Sequence, residues 1–326
     1  MLSMVRDLIL LGDAQTVLKS IPDDSVQCCV TSPPYWGLRD YGVAKQIGRE
    51  KTPEEYVSRL IDVFREVHRV LSPIGTLWIV LGDSYTLGGR SSRGSDCKNP
   101  ARASSNRAPT PMGLKPKDLI GIPWMVAFAL RANGWYLRSD IIWSKPNAMP
   151  ESVTDRPARA HEYLFLLSKS KHYYYNHKAV REKAIGKNAH DLTGQGYSAP
   201  GQAPSKGNRK ALHGPTYSRH RSSVPGGQDL RTVIDGKRNK RSVWTIPTSP
   251  FKGAHFATFP ATLIEPCILA GSRPGDLVMD PFAGSGTTCA LARKLGRRYL
   301  GIELNADYLS LINERIARVE SEACHV

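Results

Sequence analysis

The sequence predicts an α/β protein with a mostly parallel β-sheet and helices on both of its faces. Short apolar runs typical of buried strands alternate along the chain with segments whose apolar residues recur at helical spacing, which is typical of parallel strands joined by helices. Several polar residues directly follow these runs, at the ends where α/β sheets bind ligands. With 326 residues and 40% apolar content, the chain is long enough to bury a full core.

In the first half of the chain, strands are predicted over residues 6–11, 26–30, 76–81, 136–143 and 162–167, and helices over 14–21, 53–71 and 118–132. The helix over 53–71 has a typical start, because Thr52 and Pro53 precede two glutamates. Pro123 lies inside the pattern of 118–132, so that helix either bends or begins there. The aromatic stretch 171–176 is predicted to be a twisted edge strand, with base stacking as the alternative.

The second half adds helices over 261–270, 289–295 and 306–319, and strands over 277–279 and 298–302. Between the strand at 277–279 and the following helix lies Asp280-Pro281-Phe282-Ala283-Gly284-Ser285-Gly286-Thr287-Thr288. A strand that breaks into a glycine-rich turn and then a helix presents backbone N–H groups and a positive dipole end to a ligand. The stretch lacks both the Gly-Lys-Ser/Thr ending of a phosphate loop and the third glycine of the dinucleotide fingerprint.

The strand over 26–30 ends in Thr31-Ser32-Pro33-Pro34-Tyr35-Trp36. Two prolines stop both sheet and helix and leave a stiff backbone. The Ser32 hydroxyl and the Pro33 carbonyl can accept hydrogen bonds, and Tyr35 offers a flat apolar face. This combination suits a planar ring that bears an amino group, although a strand-ending turn with an incidental tyrosine explains the tetrapeptide taken alone.

The Ser32-Pro33-Pro34-Tyr35 stretch resembles the catalytic motif of the DNA amino-methyltransferases, which methylate N4 of cytosine or N6 of adenine. The loop at 280–288 resembles the Phe-x-Gly-x-Gly loop that binds S-adenosylmethionine. The catalytic motif precedes the cofactor motif, as in the β class of that family. The resemblance covers residues 5–183 and 244–320, and it implies a Rossmann-like S-adenosylmethionine-dependent methyltransferase sheet with a circularly permuted motif order.

The resemblance also implies the roles of individual residues. Asp13 contacts the adenine end of the cofactor, Glu303 binds the ribose, and residues 255–260 close over the methionine portion. The full implied cofactor set is Asp13, His255, Phe256, Ala257, Phe259, Pro260, Asp280, Pro281, Phe282, Gly284, Ser285, Gly286, Thr287 and Glu303. The implied catalytic residues are Ser32, Pro33, Pro34 and Tyr35, and S-adenosylhomocysteine is the product.

The positive charge of the chain is concentrated in two segments. The formal net charge is +16, and residues 84–117 hold seven Lys or Arg against one Asp, while residues 185–243 hold eleven against three. Charge confined in this way is better explained by nucleic acid than by general solubility. The candidate DNA contacts are Arg90, Arg93, Arg209, Lys210, Arg219, Arg221, Lys237, Arg238, Lys240 and Arg241.

The positions of the motifs and of the positive charge divide the chain into three predicted parts. Residues 1–183 plus 244–326 are predicted to form the catalytic and cofactor-binding domain. Residues 184–243 are predicted to be a basic target-recognition segment, and residues 84–117 a basic DNA-contacting loop inserted in the catalytic domain. Composition alone favours a disordered linker for the longer segment, and ordering on DNA reconciles the two interpretations.

Several classes of protein are disfavoured. No apolar run approaches eighteen residues and no signal peptide is evident, so a cytoplasmic protein is expected, nucleoid-associated when bound to DNA. The six cysteines show no Cys-x-x-Cys spacing, which argues against a metal site and against a disulfide framework. Most are therefore expected to be buried as small apolar side chains.

The resemblance implies a site-specific DNA methyltransferase that acts on duplex DNA. Serine before Pro-Pro-Tyr favours cytosine N4, with adenine N6 as the alternative. Carbon-5 methylation is disfavoured, because no cysteine lies in a Pro-Cys motif. A protein-glutamine methyltransferase and a catalytically silent DNA-binding module are the alternatives from other classes. A homodimer and a cognate restriction endonuclease are the further partners that the resemblance suggests.

Overall fold

The computed structural model describes residues 7–37, 42–86, 110, 113–183, 237–248 and 259–323. The chain divides into two units, one comprising Met1–Ala179 with Arg241–Val326 and the other Val180–Lys240. The smaller unit begins four residues before the predicted target-recognition segment begins, and it ends three residues before that segment ends. Its described residues include a two-stranded antiparallel sheet in which Glu182 pairs with Arg238.

Ten strands occur among the described residues: β1 (Leu8–Leu11), β2 (Val26–Thr31), β3 (Leu71–Leu81), β4 (Tyr136–Ser144), β5 (His161–Ser168), β6 (Glu182–Lys183), β7 (Lys237–Arg238), β8 (Val243–Thr245), β9 (Leu277–Asp280) and β10 (Arg298–Glu303). Eight of them form one sheet in the order β1-β10-β9-β2-β3-β5-β4-β8. The first five are parallel, and β5 runs antiparallel to both β3 and β4. Because β8 is parallel to β4, the eight-stranded sheet is mostly parallel, and β5 is its one reversed strand.

The helices are α1 (Ala14–Leu18), α2 (Pro53–Val70), α3 (Ile122–Ala132), α4 (Ala261–Gly271), α5 (Thr287–Lys294) and α6 (Tyr308–Ala323). The start of α2 is fixed as the sequence predicts, because the Thr52 side chain accepts a hydrogen bond from the Glu55 N–H and Pro53 lies in the first turn. Pro123 likewise lies in the first turn of α3, so the helix begins there. Asp83, directly after β3, accepts hydrogen bonds from the Gly121 and Ile122 N–H groups and so holds that helix start.

Most predicted elements occur with shifted ends, and the α/β fold is confirmed. The strand β3 begins at Leu71, five residues before its predicted start, and α3 begins at Ile122 instead of 118. The sequence does not predict β8, which has only three residues and pairs with β4. Because β8 includes Val243, the predicted domain boundary between 243 and 244 cuts through this strand.

The prediction of an edge strand over 171–176 is wrong. These residues form no ladder, and their aromatic rings are instead held by neighbouring side chains. Tyr175 stacks on the buried Trp78 with ring centroids 6.4 Å apart, and the Arg273 guanidinium lies 4.3 Å from the Tyr174 ring centroid. Contacts with rings and cations therefore outweigh the strand propensity of this stretch.

The core fills the space between the sheet and its helices. The buried face of α2 includes Tyr56, Leu60 and Phe64, each with no exposed surface. Cys28, Cys29, Cys267 and Cys289 are buried free thiols, as the sequence predicts, while Cys97 and Cys324 lie outside the described residues. At the end of α4, Gly271 allows the helix to approach the sheet closely. A Cβ atom there would lie 2.6 Å from Thr76 Oγ1 and 2.7 Å from Cys28 Sγ.

We expect the Gly271→Ala variant to be destabilised by about 1–3 kcal/mol, because the added methyl group overpacks a buried contact. Urea unfolding followed by circular dichroism measures this change. The control is Thr262→Ala, an exposed position on the same helix, whose effect should stay within about 0.5 kcal/mol. Equal unfolding midpoints for the two variants would show that α4 can move away from the sheet at no cost.

Candidate active site

The predicted site residues that follow the parallel strands lie along one edge of the sheet. The neighbouring strands β1 and β10 pair Leu11 with Glu303, and β10 and β9 pair Gly301 with Asp280. The Gly12 N–H also donates to the Glu303 carbonyl at 2.8 Å. Asp13, Ser32, Asp280 and Glu303 therefore follow or end four adjacent strands at their carboxyl ends, where ligands bind in such sheets.

The Asp280 carboxylate joins the two predicted motifs. Its Oδ1 accepts hydrogen bonds from the Thr31 hydroxyl at 2.6 Å and from the Phe282 N–H at 3.0 Å. Its Oδ2 accepts from the Thr288 hydroxyl at 2.9 Å. The residue is only 2% exposed, and burial raises its pKa to about 6, although these hydrogen bonds oppose the rise. The end of the Ser32 strand is thus fixed to the glycine loop through one buried side chain.

The glycine loop is shaped by the adjacent strand β10. The Ala283 N–H donates to the Ile302 carbonyl at 2.9 Å, and the Gly284 N–H donates to Glu303 Oε2 at 2.7 Å. Gly286 has a φ of +75°, and a Cβ atom there would lie 2.8 Å from Ile312 Cγ2. The positive φ and the close approach of α6 both require glycine at this position.

The loop fits a nucleoside-type cofactor. Gly286 precedes α5 and provides no side-chain cap, so the N–H groups of the first helical turn remain available to a ligand. Glu303 is 8% exposed, and burial raises its pKa. Its oxygens accept one hydrogen bond each from the N–H groups of Gly284 and Asn305, and a carboxylate has capacity for two more. That capacity suits ribose hydroxyls.

Arg315 is a loop-supporting residue that sequence reasoning missed. From α6, its guanidinium donates to Ser285 Oγ at 2.9 Å and also to Thr287 Oγ1. Partial burial lowers its pKa. In the sequence, Arg315 is recognisable only as an arginine next to the apolar face of the last helix, between Ile312 and Ile316. That pattern is not specific enough to predict a contact with a loop thirty residues earlier.

The catalytic motif is fixed from the residues that follow it. The Tyr56 hydroxyl donates to the Pro34 carbonyl at 2.9 Å, and the Trp36 indole N–H donates to the Glu50 carbonyl at 3.0 Å. In contrast, no donor among the described residues bonds to the Pro33 carbonyl. The motif is therefore held at Pro34 and Trp36. The Pro33 carbonyl, which the sequence predicts to accept hydrogen bonds, stays available.

Tyr35 is held at its hydroxyl and along its ring. The hydroxyl donates to Glu162 Oε2 at 2.8 Å, and Glu162 Oε1 forms an ion pair with the Lys145 ammonium. The ring lies against Gly82, where a Cβ atom would be 2.5 Å from Tyr35 Cε2. Burial, with the nearby Glu162 carboxylate, raises the pKa of Tyr35 well above its usual range. Lys145 and Glu162 lie in regions of resemblance, but neither was predicted as a site residue.

Comparison with known proteins decides the family. A family model described as DNA methylase, covering the N6 and N4 enzymes, matches residues 26–314. The chain belongs to this family of N6/N4 DNA methylases.

Individual relatives agree with this assignment. The DNA methylase is 49% identical over 315 residues to the Type II methyltransferase M.XycI of Xanthomonas campestris pv. cyanopsidis, covering 97% of this chain and 89% of the relative. It is 50% identical over 305 residues to the Type II methyltransferase M.Cfr9I of Citrobacter freundii, covering 94% and 86%.

Solved structures share the fold. A DNA modification methylase of Thermus thermophilus, in complex with S-adenosyl-L-methionine, superposes with a TM-score of 0.57 at 27% identity, covering 95% of this chain and 93% of that one. The cytosine-N4-specific PvuII DNA methyltransferase superposes with a TM-score of 0.61 at 18% identity, covering 98% and 91%. The predicted family, the Rossmann-like methyltransferase fold and S-adenosylmethionine as cofactor are thereby confirmed.

The structure of the DNA methylase describes some of the remaining predicted site residues and not others. Asp13 caps α1, accepting hydrogen bonds from the Thr16 N–H at 3.0 Å and the Thr16 hydroxyl at 2.8 Å. Phe259 is half-buried, and Pro260 is buried directly before α4. The predicted residues outside the described part of the chain are His255, Phe256, Ala257, Arg90, Arg93, Arg209, Lys210, Arg219 and Arg221.

Four predicted DNA contacts are described. Lys237 and Arg238 form β7, and the Arg238 guanidinium pairs with Glu182 at 2.9 Å. Lys240 ends the smaller unit, and Arg241 begins the second part of the larger one. Their contact with DNA stays a prediction.

Two further features of the DNA methylase concern the described ranges alone. Within them, no helix combines the length and apolar character needed to cross a membrane. Nor do His, Cys, Asp and Glu side chains of those ranges gather in groups of three that could hold a metal ion.

The raised pKa of Asp280 predicts how the effect of its replacement on stability depends on pH. A folded-state pKa of about 6, above the usual 3.8, means that the contribution of Asp280 to stability is fully present below pH 3.8. That contribution is lost as the pH rises through 6. An asparagine side chain in its place could keep the hydrogen bonds from Thr31 and Phe282, because its oxygen accepts and its NH2 group can donate to the Thr288 hydroxyl.

We therefore expect the stability of Asp280→Asn relative to the natural enzyme to rise by about 2 kcal/mol between pH 4 and pH 8. Urea unfolding at several pH values measures it, and comparing the two proteins cancels the titration of other groups. A difference that does not change with pH would contradict the assigned burial of this carboxylate.

Proposed function

We propose that this DNA methylase transfers the methyl group of S-adenosylmethionine directly to N4 of a cytosine flipped out of duplex DNA. The observation that carries the proposal is the link from Thr31 to Asp280. It holds the amine acceptors Ser32 and Pro33 at the same sheet edge as the cofactor loop. Adenine N6 is the alternative target, since the same acceptors suit either amino group.

Site-specific action within a Type II system is part of the proposal. It is supported by two relatives near 50% identity that are named Type II methyltransferases and align with at least 94% of this chain. By this reasoning, a restriction endonuclease that cuts the same DNA sequence is a partner, and methylation protects the host DNA from it.

The chain's own residues act on the amine in this mechanism. An exocyclic amine is a poor nucleophile, because its lone pair is delocalised into the ring. The Ser32 hydroxyl and the Pro33 carbonyl accept its two N–H groups, which favours a tetrahedral nitrogen with its lone pair directed away from the ring. The bound cofactor supplies an activated methyl group, so no covalent enzyme intermediate is required. When the amine nitrogen takes this methyl group, it would release one proton, which would pass to solvent water, and the cofactor would leave as S-adenosylhomocysteine.

Tyr35 supplies the surface for the flipped base. Extruding a base from the duplex costs a few kcal/mol, and stacking on an aromatic ring offsets part of that cost. With its edge on Gly82 and its hydroxyl bonded to Glu162, the ring is fixed before the base arrives. A fixed ring loses little conformational entropy on binding.

The two basic segments are the proposed DNA-binding parts. Residues 84–117 form the inserted DNA-contacting loop, and residues 184–243 form the target-recognition segment. Together they carry +14 of the net charge of +16, which suits a phosphate backbone. A homodimer remains a proposal from the resemblance.

The first experiment identifies the product. The purified protein is incubated with S-adenosylmethionine and unmethylated duplex DNA, and the hydrolysed nucleosides are separated by mass spectrometry. We expect N4-methylcytosine. N6-methyladenine would keep the mechanism but overturn the base assignment, and the absence of both would point to a protein substrate or a silent binding module.

Replacing Ser32 by alanine tests the proposed acceptor. Loss of the hydroxyl removes an interaction that strengthens as the nitrogen becomes tetrahedral, so we expect kcat to fall about 100-fold while the Kd for the cofactor changes less than about twofold. Steady-state methylation and calorimetry measure these quantities. The control is Ser321→Ala, at an exposed position on α6. A Ser32→Ala enzyme with unchanged turnover would refute the role.

A further inference from the structure

A carboxylate outside the catalytic motif holds the aromatic surface of that motif. We propose that Glu162, together with Lys145, is a positioning residue that fixes the Tyr35 ring for stacking of the target base. The inference rests on the proposed function for its catalytic consequence. Its structural part, that Glu162 determines where the ring lies, stands on the contacts of this chain alone.

The two ends of Tyr35 are constrained in different ways. The ring contacts Gly82, the first residue after β3, so closely that a Cβ atom there would lie 2.5 Å from Cε2, 3.1 Å from Cδ2 and 3.3 Å from Cζ. This contact blocks motion toward the strand but not away from it. The hydrogen bond from the phenol to Glu162 Oε2, at 2.8 Å, is the contact that opposes motion away from Gly82.

The sheet fixes Glu162 itself. Glu162 is the second residue of β5 and pairs with Trp143 of β4. Lys145 follows β4, and its N–H donates to the Ala160 carbonyl at 2.8 Å. Its ammonium group also lies 4.2 Å from the Trp143 ring centroid. Backbone pairing on both sides therefore determines the position of the ion pair.

Burial gives this network little freedom. The side chains of Lys145 and Glu162 are only 16% and 19% exposed, and a poorly solvated carboxylate needs a partner for each oxygen. Lys145 supplies one partner and the Tyr35 hydroxyl supplies the other. The arrangement is complete only when the tyrosine ring lies over Gly82.

A consequence for base recognition follows. The Tyr35 hydroxyl has one proton, and it is donated to Glu162. The phenol oxygen also shares a side-chain hydrogen bond with Ser32, which opposes the rise in the pKa of Tyr35 and is therefore donated by the Ser32 hydroxyl. Tyr35 thus presents the face of its ring to the base and no hydrogen-bond donor, while the Ser32 oxygen and the Pro33 carbonyl can accept from the amino group.

The test uses Glu162→Ala, Tyr35→Phe and the double variant, each measured for kcat and for the KM of DNA and cofactor. Alanine replaces Glu162 because a glutamine oxygen could still accept a hydrogen bond from the Tyr35 hydroxyl. Each single variant breaks the hydrogen bond between Tyr35 and Glu162, so kcat should fall about tenfold, while the KM for the cofactor stays within about twofold. The double variant should be no slower than the slower single variant, since both changes remove the same hydrogen bond. Thermal unfolding midpoints measure whether the variants are folded.

The matched control is Glu151→Ala, which removes the carboxylate of another partly buried ion pair, with Arg156, and should keep the natural kcat. A natural rate for Glu162→Ala, or losses in the double variant that multiply, would overturn the inference. If Glu162→Ala does not fold, Glu162→Leu decides in its place, because leucine fills a similar volume without an acceptor and must still lower kcat.

A crystal structure of Glu162→Ala separates this inference from the proposed function, since it needs no activity. Displacement of the Tyr35 ring from Gly82 would support the inference even for a chain that methylates no DNA. A ring in its original place would overturn it, whatever the enzyme's product.

Discussion

The fold depends at its functional edge on one buried carboxylate. Asp280 lies at the end of β9, and its oxygens bind the hydroxyls of Thr31 and Thr288 and the N–H of Phe282. A carboxylate with so little exposure is tolerated only because each oxygen is hydrogen bonded. These bonds set the distance between the strand before the predicted catalytic motif and the predicted cofactor loop, two segments separated by about 250 residues of sequence. The proposed methyl transfer needs that distance to be constant.

Different strands of the sheet position different parts of the site. The parallel strands β1, β10, β9 and β2 end at the residues that shape the cofactor loop and carry the catalytic motif. The antiparallel pair β4 and β5 reaches across β3 to support the aromatic surface through Glu162. Gly82, at the end of β3, lies beneath the ring and links these two groups of strands.

The sequence was sufficient to predict the α/β fold, most elements and the edge that collects Asp13, Ser32, Asp280 and Glu303, because hydrophobic periodicity and strand-end polar residues are local signals. It could not predict which contacts those side chains make. Asp280 uses both of its carboxylate oxygens within the protein, Asp13 uses one of its two to cap α1, and Glu162 reaches Tyr35 across 127 positions. Such pairings depend on tertiary packing, as does the loss of the expected strand at 171–176, where rings pack against Trp78 and nearby cations.

The hydrogen bond that the Tyr35 hydroxyl donates to Glu162 affects how this protein can select between bases. A tyrosine whose only proton is already donated offers its substrate an aromatic face and no hydrogen-bond donor. Such a face can stack on a one-ring or a two-ring base, and the two acceptors beside it contact an amino group without contacting the ring that bears it. Discrimination by size must then come from pocket walls outside the motif, so a change of base preference could arise there while Ser32, Pro33 and Tyr35 stay the same.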